Sequence, residues 1–430
     1  MPISTGTLKD RLAQVIEIYR AELKEIHDHH ADKAVSKVTA GQVLGGLRGV
    51  IGLLCDTSSV DPDRGLIVRG IPIGDLTDRL PEEVLYLLLT GELPDREALS
   101  SLQEELRSRG RVPDYVWNVL EAMPPGSHPM AMLDTAILCM ERESVFRRRY
   151  DAGMAKPEYW EPMLEDALTL IARLPEIAAG VYRIHAGKPG RIQPDPELDW
   201  AGNYARMLGL PDPNGQLADL MRLYLVLHCD HEGGNVSAFT AVTVGSALSD
   251  LYYALSAGLN GLAGPLHGLA NQECLRFVLD LERHFGGVPT DEELRQFCSQ
   301  RLKAGRVIPG YGHAVLRVTD PRFTAFLAFG RKACPNDSEF RIVEKLYEIV
   351  PSLLREQGKA KDPWPNVDAG SGALLYHFGL VEFDYYTVLF AVSRALGISA
   401  QAVLNRAVGA PIMRPKSITT AALKDLAQKS

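Results

Sequence analysis

Ala238-Phe-Thr-Ala-Val-Thr-Val-Gly-Ser-Ala-Leu-Ser-Asp-Leu-Tyr-Tyr-Ala-Leu-Ser-Ala-Gly-Leu259 is built largely from Ala, Gly, Ser and Val. Small side chains let helix backbones approach closely. The stretch therefore fits a tightly packed central or interfacial helix, and on composition it fits an ordinary core helix equally well. Chemistry-bearing text flanks it on both sides. Before it stands His228-Cys-Asp-His-Glu-Gly-Gly-Asn-Val-Ser237, and after it Asn260-Gly-Leu-Ala-Gly-Pro-Leu-His267-Gly268.

Outward from this centre the chain reads as helical. Leu12, Val15, Ile16, Tyr19, Leu23 and Ile26 recur at helical spacing over 12–30. Further helical patterns cover 83–89, 95–109, 113–122, 129–142, 160–188 and 213–227. Shorter ones follow at 275–285, 291–304, 321–334 and 339–357, and core-like helical text returns over 384–408. The exception is 45–73. There Val50, Ile51, Leu53 and Leu54 lead into the turn signal Ser59-Val-Asp-Pro-Asp-Arg-Gly65, then Leu66-Ile-Val68 and Ile71-Pro-Ile73, which reads as a small hairpin. The fold expected is all-α, mainly helical, with that β-hairpin near the N-terminus. At 430 residues two domains are the default. The more charged, loop-broken text of 270–379 reads as a small helical domain inserted in a large one formed by 1–269 and 380–430.

Composition narrows the function. The net charge of -8 argues against a nucleic-acid or membrane surface, yet leaves room for a local arginine cluster that binds a small anion. The six cysteines form no CxxC pair, so neither a zinc nor an iron–sulfur site is expected, and a reducing cytosol is the natural compartment. Residues 1–9 lack the apolar stretch of a secretory signal, and no uninterrupted apolar run reaches about 18 residues.

The candidate chemistry lies in turns. His267 sits between Gly-Pro-Leu and Gly268, where a turn can aim an imidazole at a pocket, or simply place it at a helix start. His313 lies in Gly310-Tyr-Gly-His, with Arg317 and Arg322 close behind as guanidinium forks for phosphate or carboxylate. The plainer reading of that segment is a surface turn with solvated arginines. Asp320-Pro321 reads as a helix start. His228, Asp230, His231 and Glu232 crowd together as metal ligands do, but the pattern is not HExxH and Gly233-Gly234 ends any helix soon after. A neutral His231 donating to a substrate oxygen is preferred, with Asp230 and Glu232 orienting their neighbours. His27-Asp-His-His30 reads as a solvated helix end. Asp368, in Pro365-Asn-Val-Asp-Ala-Gly-Ser-Gly372, is either an N-cap or a general base. Arg394 stands inside an apolar helix and needs an anion or carbonyl partner. Arg414 lies near the C-terminus, where it would most easily reach a neighbouring subunit.

Taken with Gly46-Leu-Arg-Gly49, His128-Pro-Met130, Pro309-Gly-Tyr-Gly-His-Ala-Val-Leu-Arg317 and Val392-Ser-Arg-Ala-Leu-Gly397, these segments resemble the citrate synthase family over about residues 10 to 420. Within it they are closest to the type found in eukaryotic mitochondria. The resemblance implies a mostly helical homodimer whose small domain closes over acetyl-CoA and oxaloacetate. By that likeness Asp368 takes a proton from the acetyl methyl group, and His267 donates to the thioester oxygen. His313 polarises and protonates the ketone of oxaloacetate. His231, Arg322, Arg394 and, from the other subunit, Arg414 hold the oxaloacetate. Arg317 contacts CoA phosphates and 307–314 cradles the adenine end. Coenzyme A enters only as substrate, with no tightly bound cofactor and no metal. Gly370 departs from the pattern, since animal members tend to carry His there. With no targeting segment evident, the expectation is a bacterial cytoplasmic enzyme, or a processed form from the mitochondrial matrix. A propionyl-CoA-using 2-methylcitrate synthase is the nearest alternative, and a non-catalytic binding protein or scaffold that keeps the fold is the other.

Overall fold

The computed structural model describes residues 7–313, 315–358 and 362–429. Its spine is the helix Tyr386–Ala407, packed lengthwise on the helix Trp160–His185. Most residues of both are buried, and the 386–407 helix is apolar nearly all round. In such a helix most buried polar side chains find hydrogen-bond partners. Ser393 Oγ donates to Leu225 O at 2.6 Å, Gln401 Nε2 to Asp230 Oδ1 at 2.9 Å, and Arg406 to Gly245 O and Ser249 O at 2.6 and 2.8 Å. The 383–407 segment is long and apolar enough to cross a membrane, but 89% of its most apolar window is buried inside the protein.

Pro175 interrupts the 160–185 helix and leaves Ile171 O without its N–H partner. Trp200 Nε1 supplies the missing donor at 2.9 Å, so the proline is accommodated by an indole from the next helix, Trp200–Leu208.

The 238–259 stretch is two helices rather than one, Val236–Ser246 and Leu251–Leu262, and they pack on each other. The break follows from Leu248 in a left-handed conformation (φ 65°) and Asp250, whose carboxylate caps the second helix by accepting from Tyr253 N–H at 3.1 Å. Gly258 shows why small residues are needed here. A Cβ on it would lie 2.8 Å from Ser237 O in the companion helix.

The β element is a three-stranded antiparallel meander, β1 (Ser58–Asp61), β2 (Gly65–Val68) and β3 (Ile71–Pro72). Ser58 faces Val68 and Asp61 faces Gly65. Asp61 Oδ1 closes the β1–β2 turn by accepting from the N–H groups of Asp63 and Arg64, both at 2.9 Å. The first strand thus lies later than expected. Val50–Leu54 has no strand partner, and Ile51 and Leu54 are exposed.

Candidate active site

Three loops and the helices that carry Arg322, Asp368 and Arg394 converge on the site. The first loop follows the helix Gln216–Leu227 and carries His231. It turns sharply at Glu232 (φ 60°) and ends at Asn235, whose Oδ1 caps the 236–246 helix through Ala238 N–H at 3.1 Å. The second loop carries His267. Its turn is closed by N–H groups of His267 and Gly268 donating to Gly264 O at 2.9 and 3.1 Å. Gly268 is obligatory, because a Cβ would sit 2.1 Å from Leu262 O. The third loop, 309–320, is zipped to 362–368. Asn366 N–H donates to Gly310 O at 2.8 Å, Gly312 N–H to Trp364 O at 2.9 Å, and Asp320 N–H to Pro365 O at 3.2 Å. This brings the His313 loop against Asp368, which is the first residue of the helix Asp368–His377 rather than an N-cap in a loop.

Gly310 makes that approach possible. It is left-handed (φ 80°), and a Cβ would meet Ala369 at 2.8 Å and Cys274 Sγ at 2.9 Å. Gly310→Ala is expected to cost about 2–4 kcal/mol by chemical denaturation, the sum of a left-handed side chain and an overpacked contact. Turnover should fall further than the stability loss explains, since His313 moves with the loop.

The hydrogen bonds define the histidine tautomers. His313 Nδ1 accepts two backbone N–H groups, Val315 and Leu316, both at 3.0 Å, so its proton is on Nε2. Burial, then Arg322, lowers its pKa. His267 Nε2 accepts from Ser237 N–H at 3.3 Å and contacts Ser237 Oγ at 3.0 Å, leaving Nδ1–H as the free donor. Burial, with Arg394 second, pushes His267 down to about 4. His231 lies 5.9 Å from His313 between ring centroids, and its pKa is lowered by burial, Arg322 and Arg394. All three are therefore neutral donors at pH 7.

Arg322 is buried and gripped by buried Asp320, with Nε to Oδ1 at 3.0 Å and Nη2 to Oδ2 at 2.7 Å. Arg394 is buried with neutral partners, Nε to His228 O at 3.2 Å and Nη1 to Asn235 Oδ1 at 3.2 Å and Ser237 Oγ at 3.4 Å. Its guanidinium lies 4.8 Å from the Phe390 ring centroid, and the same ring abuts His267. Burial lowers Arg394 to about 10. Asp368 carries the opposite burden. Burial raises its carboxyl to about 6, against the pull of Arg322 and Arg394. No side chain among the described residues hydrogen-bonds its carboxylate, which leaves it free to accept a proton from a substrate.

His228, Asp230, His231 and Glu232 do not converge as ligands. His228 Nδ1 bonds Tyr224 O at 3.0 Å, Asp230 bonds Ser58 and Gln401, and Glu232 Oε1 accepts from Val60 N–H at 2.7 Å. No group able to hold a metal occurs among the described residues. Arg317 is anchored by its N–H to Pro62 O at 2.8 Å and its side chain is exposed. Ala314, the end of the adenine cradle expected from the sequence, lies outside the described residues. Arg414 is exposed and away from these groups. Its neighbour Met413 bonds Ser246 at the far end of the 236–246 helix, a helix length of roughly 16 Å from Asn235. Two open cavities, lined in part by Glu82 and Trp200 and by Leu53 and Ala241, are also elsewhere. Sequence reasoning missed Ser237, Asn235 and Phe390 as parts of the site. Asn235-Val-Ser before a helical run is a capping signal, and that signal was available.

The chain matches the family model described as "Citrate synthase, C-terminal domain" over residues 46–416. It is 47% identical to "Citrate synthase, mitochondrial" of Xiphias gladius, spanning 98% of this chain and 92% of that protein. The protein of the same description from Daucus carota is 45% identical over 98% and 91%. Among solved structures, citrate synthase from Pyrobaculum aerophilum superposes with a TM-score of 0.79 at 30% identity, covering 90% of this chain and 95% of that one. The Thermotoga maritima MSB8 citrate synthase gives 0.71 at 27%, covering 87% and 95%.

Proposed function

Because the chain belongs to the citrate synthase family, we propose that the site between His231, His267, His313 and Asp368 condenses acetyl-CoA with oxaloacetate and hydrolyses the citryl-CoA formed. One observation carries the assignment of roles. A carboxyl raised to about 6 has no side-chain hydrogen bond among the described residues, with two buried arginines acting on it, and the same arginines act on neutral imidazoles of the neighbouring loops.

A thioester α-proton is weakly acidic, so a carboxylate of ordinary strength removes it slowly. Asp368 is a stronger base than an exposed aspartate, and His267 Nδ1–H is the free donor for the thioester oxygen as the enolate forms. Oxyanion donors of this kind are worth about 3–4 kcal/mol each. His313 Nε2–H polarises the ketone of oxaloacetate and protonates it as the carbon–carbon bond closes. The two carboxylates of oxaloacetate face Arg322, Arg394 and His231. Arg414 completes the set from a second copy of the chain, since within one chain it lies away from the site. Arg317 meets the phosphates of CoA, which is a substrate and not a resident cofactor.

The 270–379 region, which carries His313, Arg322 and Asp368, closes as a small domain on the rest. That closure excludes water until condensation is complete. The setting is an aqueous compartment, either a bacterial cytoplasm or the mitochondrial matrix that the relatives' names mention. A Cβ at Gly370 would lie 3.2 Å from the Phe323 ring, so a larger side chain there needs that ring to give by a few tenths of an ångström.

Thiol release from acetyl-CoA and from propionyl-CoA, each with and without oxaloacetate, tests the reading. Oxaloacetate-dependent release at least about tenfold faster with acetyl-CoA is expected, the range one methylene can command. Faster release from propionyl-CoA would reassign the chain as a 2-methylcitrate synthase. No release from either would leave a non-catalytic protein.

A further inference from the structure

His231 has no hydrogen bond to its ring among the described residues, yet its place beside His313 is closely fixed. The fixing groups are on either side of it in the chain. Ser58 Oγ, on β1, donates to Asp230 Oδ2 at 2.8 Å and accepts from Glu232 N–H at 2.7 Å. Gln401 Nε2, from the spine helix, donates to Asp230 Oδ1 at 2.9 Å and reaches Glu232 O at 3.4 Å. Both neighbours of His231 are thus held twice, by a strand on one side and a helix on the other. Val60 N–H adds a third tie, to Glu232 Oε1 at 2.7 Å.

The clamp has a backbone cost to hold in place. Glu232 is one of four non-glycine residues with positive φ among those described, and its left-handed turn sets the direction in which His231 leaves the chain. Ser58 and Asp230 are both buried, so water does not substitute readily for either. The same hairpin reaches the other half of the site. Pro62 O accepts Arg317 N–H at 2.8 Å, and Gly65 lies against the Pro321 ring, where a Cβ would be 2.6 Å from Cδ.

We propose that Ser58, with Gln401 opposite it, is a positioning residue that sets His231 for oxaloacetate, which makes the β1–β2 hairpin part of the substrate site. This rests on His231 acting at oxaloacetate. Misplacing a binding group by about 1 Å is enough to cost on the order of tenfold or more.

The test compares Ser58→Ala, Ser58→Thr, Ser59→Ala and His231→Ala in the full-length protein. KM for each substrate, kcat and thermal stability are measured. Ser59 is the neighbour on the opposite, exposed face of β1, so Ser59→Ala controls for strand disturbance. Ser58→Ala is expected to raise KM for oxaloacetate about tenfold with KM for acetyl-CoA changed less than about twofold. Ser58→Thr keeps Oγ and should restore most of the loss, and Ser59→Ala should match wild type. If Ser58→Ala lowers only the melting temperature, or raises both KM values alike, Ser58 is structural and the proposal fails. If His231→Ala itself leaves KM for oxaloacetate unchanged, the role given to His231 falls first and the clamp falls with it. If His231→Ala raises it but Ser58→Ala does not, only the clamp is lost.

Discussion

Asp368→Ala is expected to lower turnover by about 10³-fold or more while oxaloacetate affinity stays within about threefold of wild type, because a general base contributes to the transition state and little to ground-state binding. Turnover and oxaloacetate affinity measured on the same preparation check it, and near-normal turnover would remove Asp368 from the base role. The carboxyl is raised to about 6 by burial, in spite of Arg322 and Arg394. The base works ionised, so kcat/KM of wild type should rise with pH through about 6 and level off above it.

The same shift has a consequence for stability. In the unfolded chain the carboxyl titrates near its ordinary value of 3.8, and in the folded chain near 6. The folded state therefore holds the proton more tightly. Relative stability is full below about 3.8 and is lost as pH rises through 6, reaching about 3 kcal/mol above it. Asp368→Asn keeps the shape without the charge. Its stability advantage in urea should grow from pH 4.5 to pH 8, over the range in which the activity of wild type rises. An advantage that is flat with pH would mean the carboxyl is not raised.

Much of this arrangement is legible in the sequence because turns that carry chemistry are written in glycine and proline. Gly310, Gly268 and Gly264-Pro265 mark the His313 and His267 loops directly, and an arginine in the middle of the apolar 384–408 text marks Arg394. What is hidden depends on partners distant in the chain. The Asp368–His377 helix is one example. Asp-Ala-Gly-Ser-Gly has poor helix propensity, and the glycines are there because a Cβ on Gly372 would lie 2.4 Å from Asn271 Oδ1. Tertiary packing overrides propensity at that point. Ser237, Asn235 and Phe390 are ordinary residues until the fold sets His267 and Arg394 against them. The break at 247–250 was obscured by the uniform small-residue composition, although Ser249-Asp250 is a capping pair. Arg414 is the reverse case. Its position in the sequence suggests a second subunit, and among the described residues no hydrogen bond or ion pair involves its side chain.

Arg394 carries the second large effect. It is a buried guanidinium whose hydrogen-bond partners are all neutral, and burial has brought its pKa down to about 10. Arg322, by contrast, is already paired with Asp320. An incoming carboxylate therefore gains most at Arg394, where it adds a hydrogen-bonded counter-charge to the longer-range pull of Asp230 rather than displacing a direct partner. Two charge-assisted hydrogen bonds at about 1.5–3 kcal/mol each make Arg394→Ala weaken oxaloacetate binding by roughly 10²–10⁴-fold. Titration calorimetry with oxaloacetate alone reads this without turnover, and unchanged affinity would take Arg394 out of the carboxylate site. Arg394→Met separates binding from folding. It fills similar volume and removes a buried charge, and Asp230, which that charge favours at longer range, keeps its own hydrogen bonds to Ser58 and Gln401, so the variant should stay folded without ligand. Oxaloacetate at about 100 times its Kd should stabilise wild type by about 2.7 kcal/mol and leave the methionine variant nearly unmoved at the same concentration. A site poised in this way gives up stability in the empty protein and recovers it when the dianion binds.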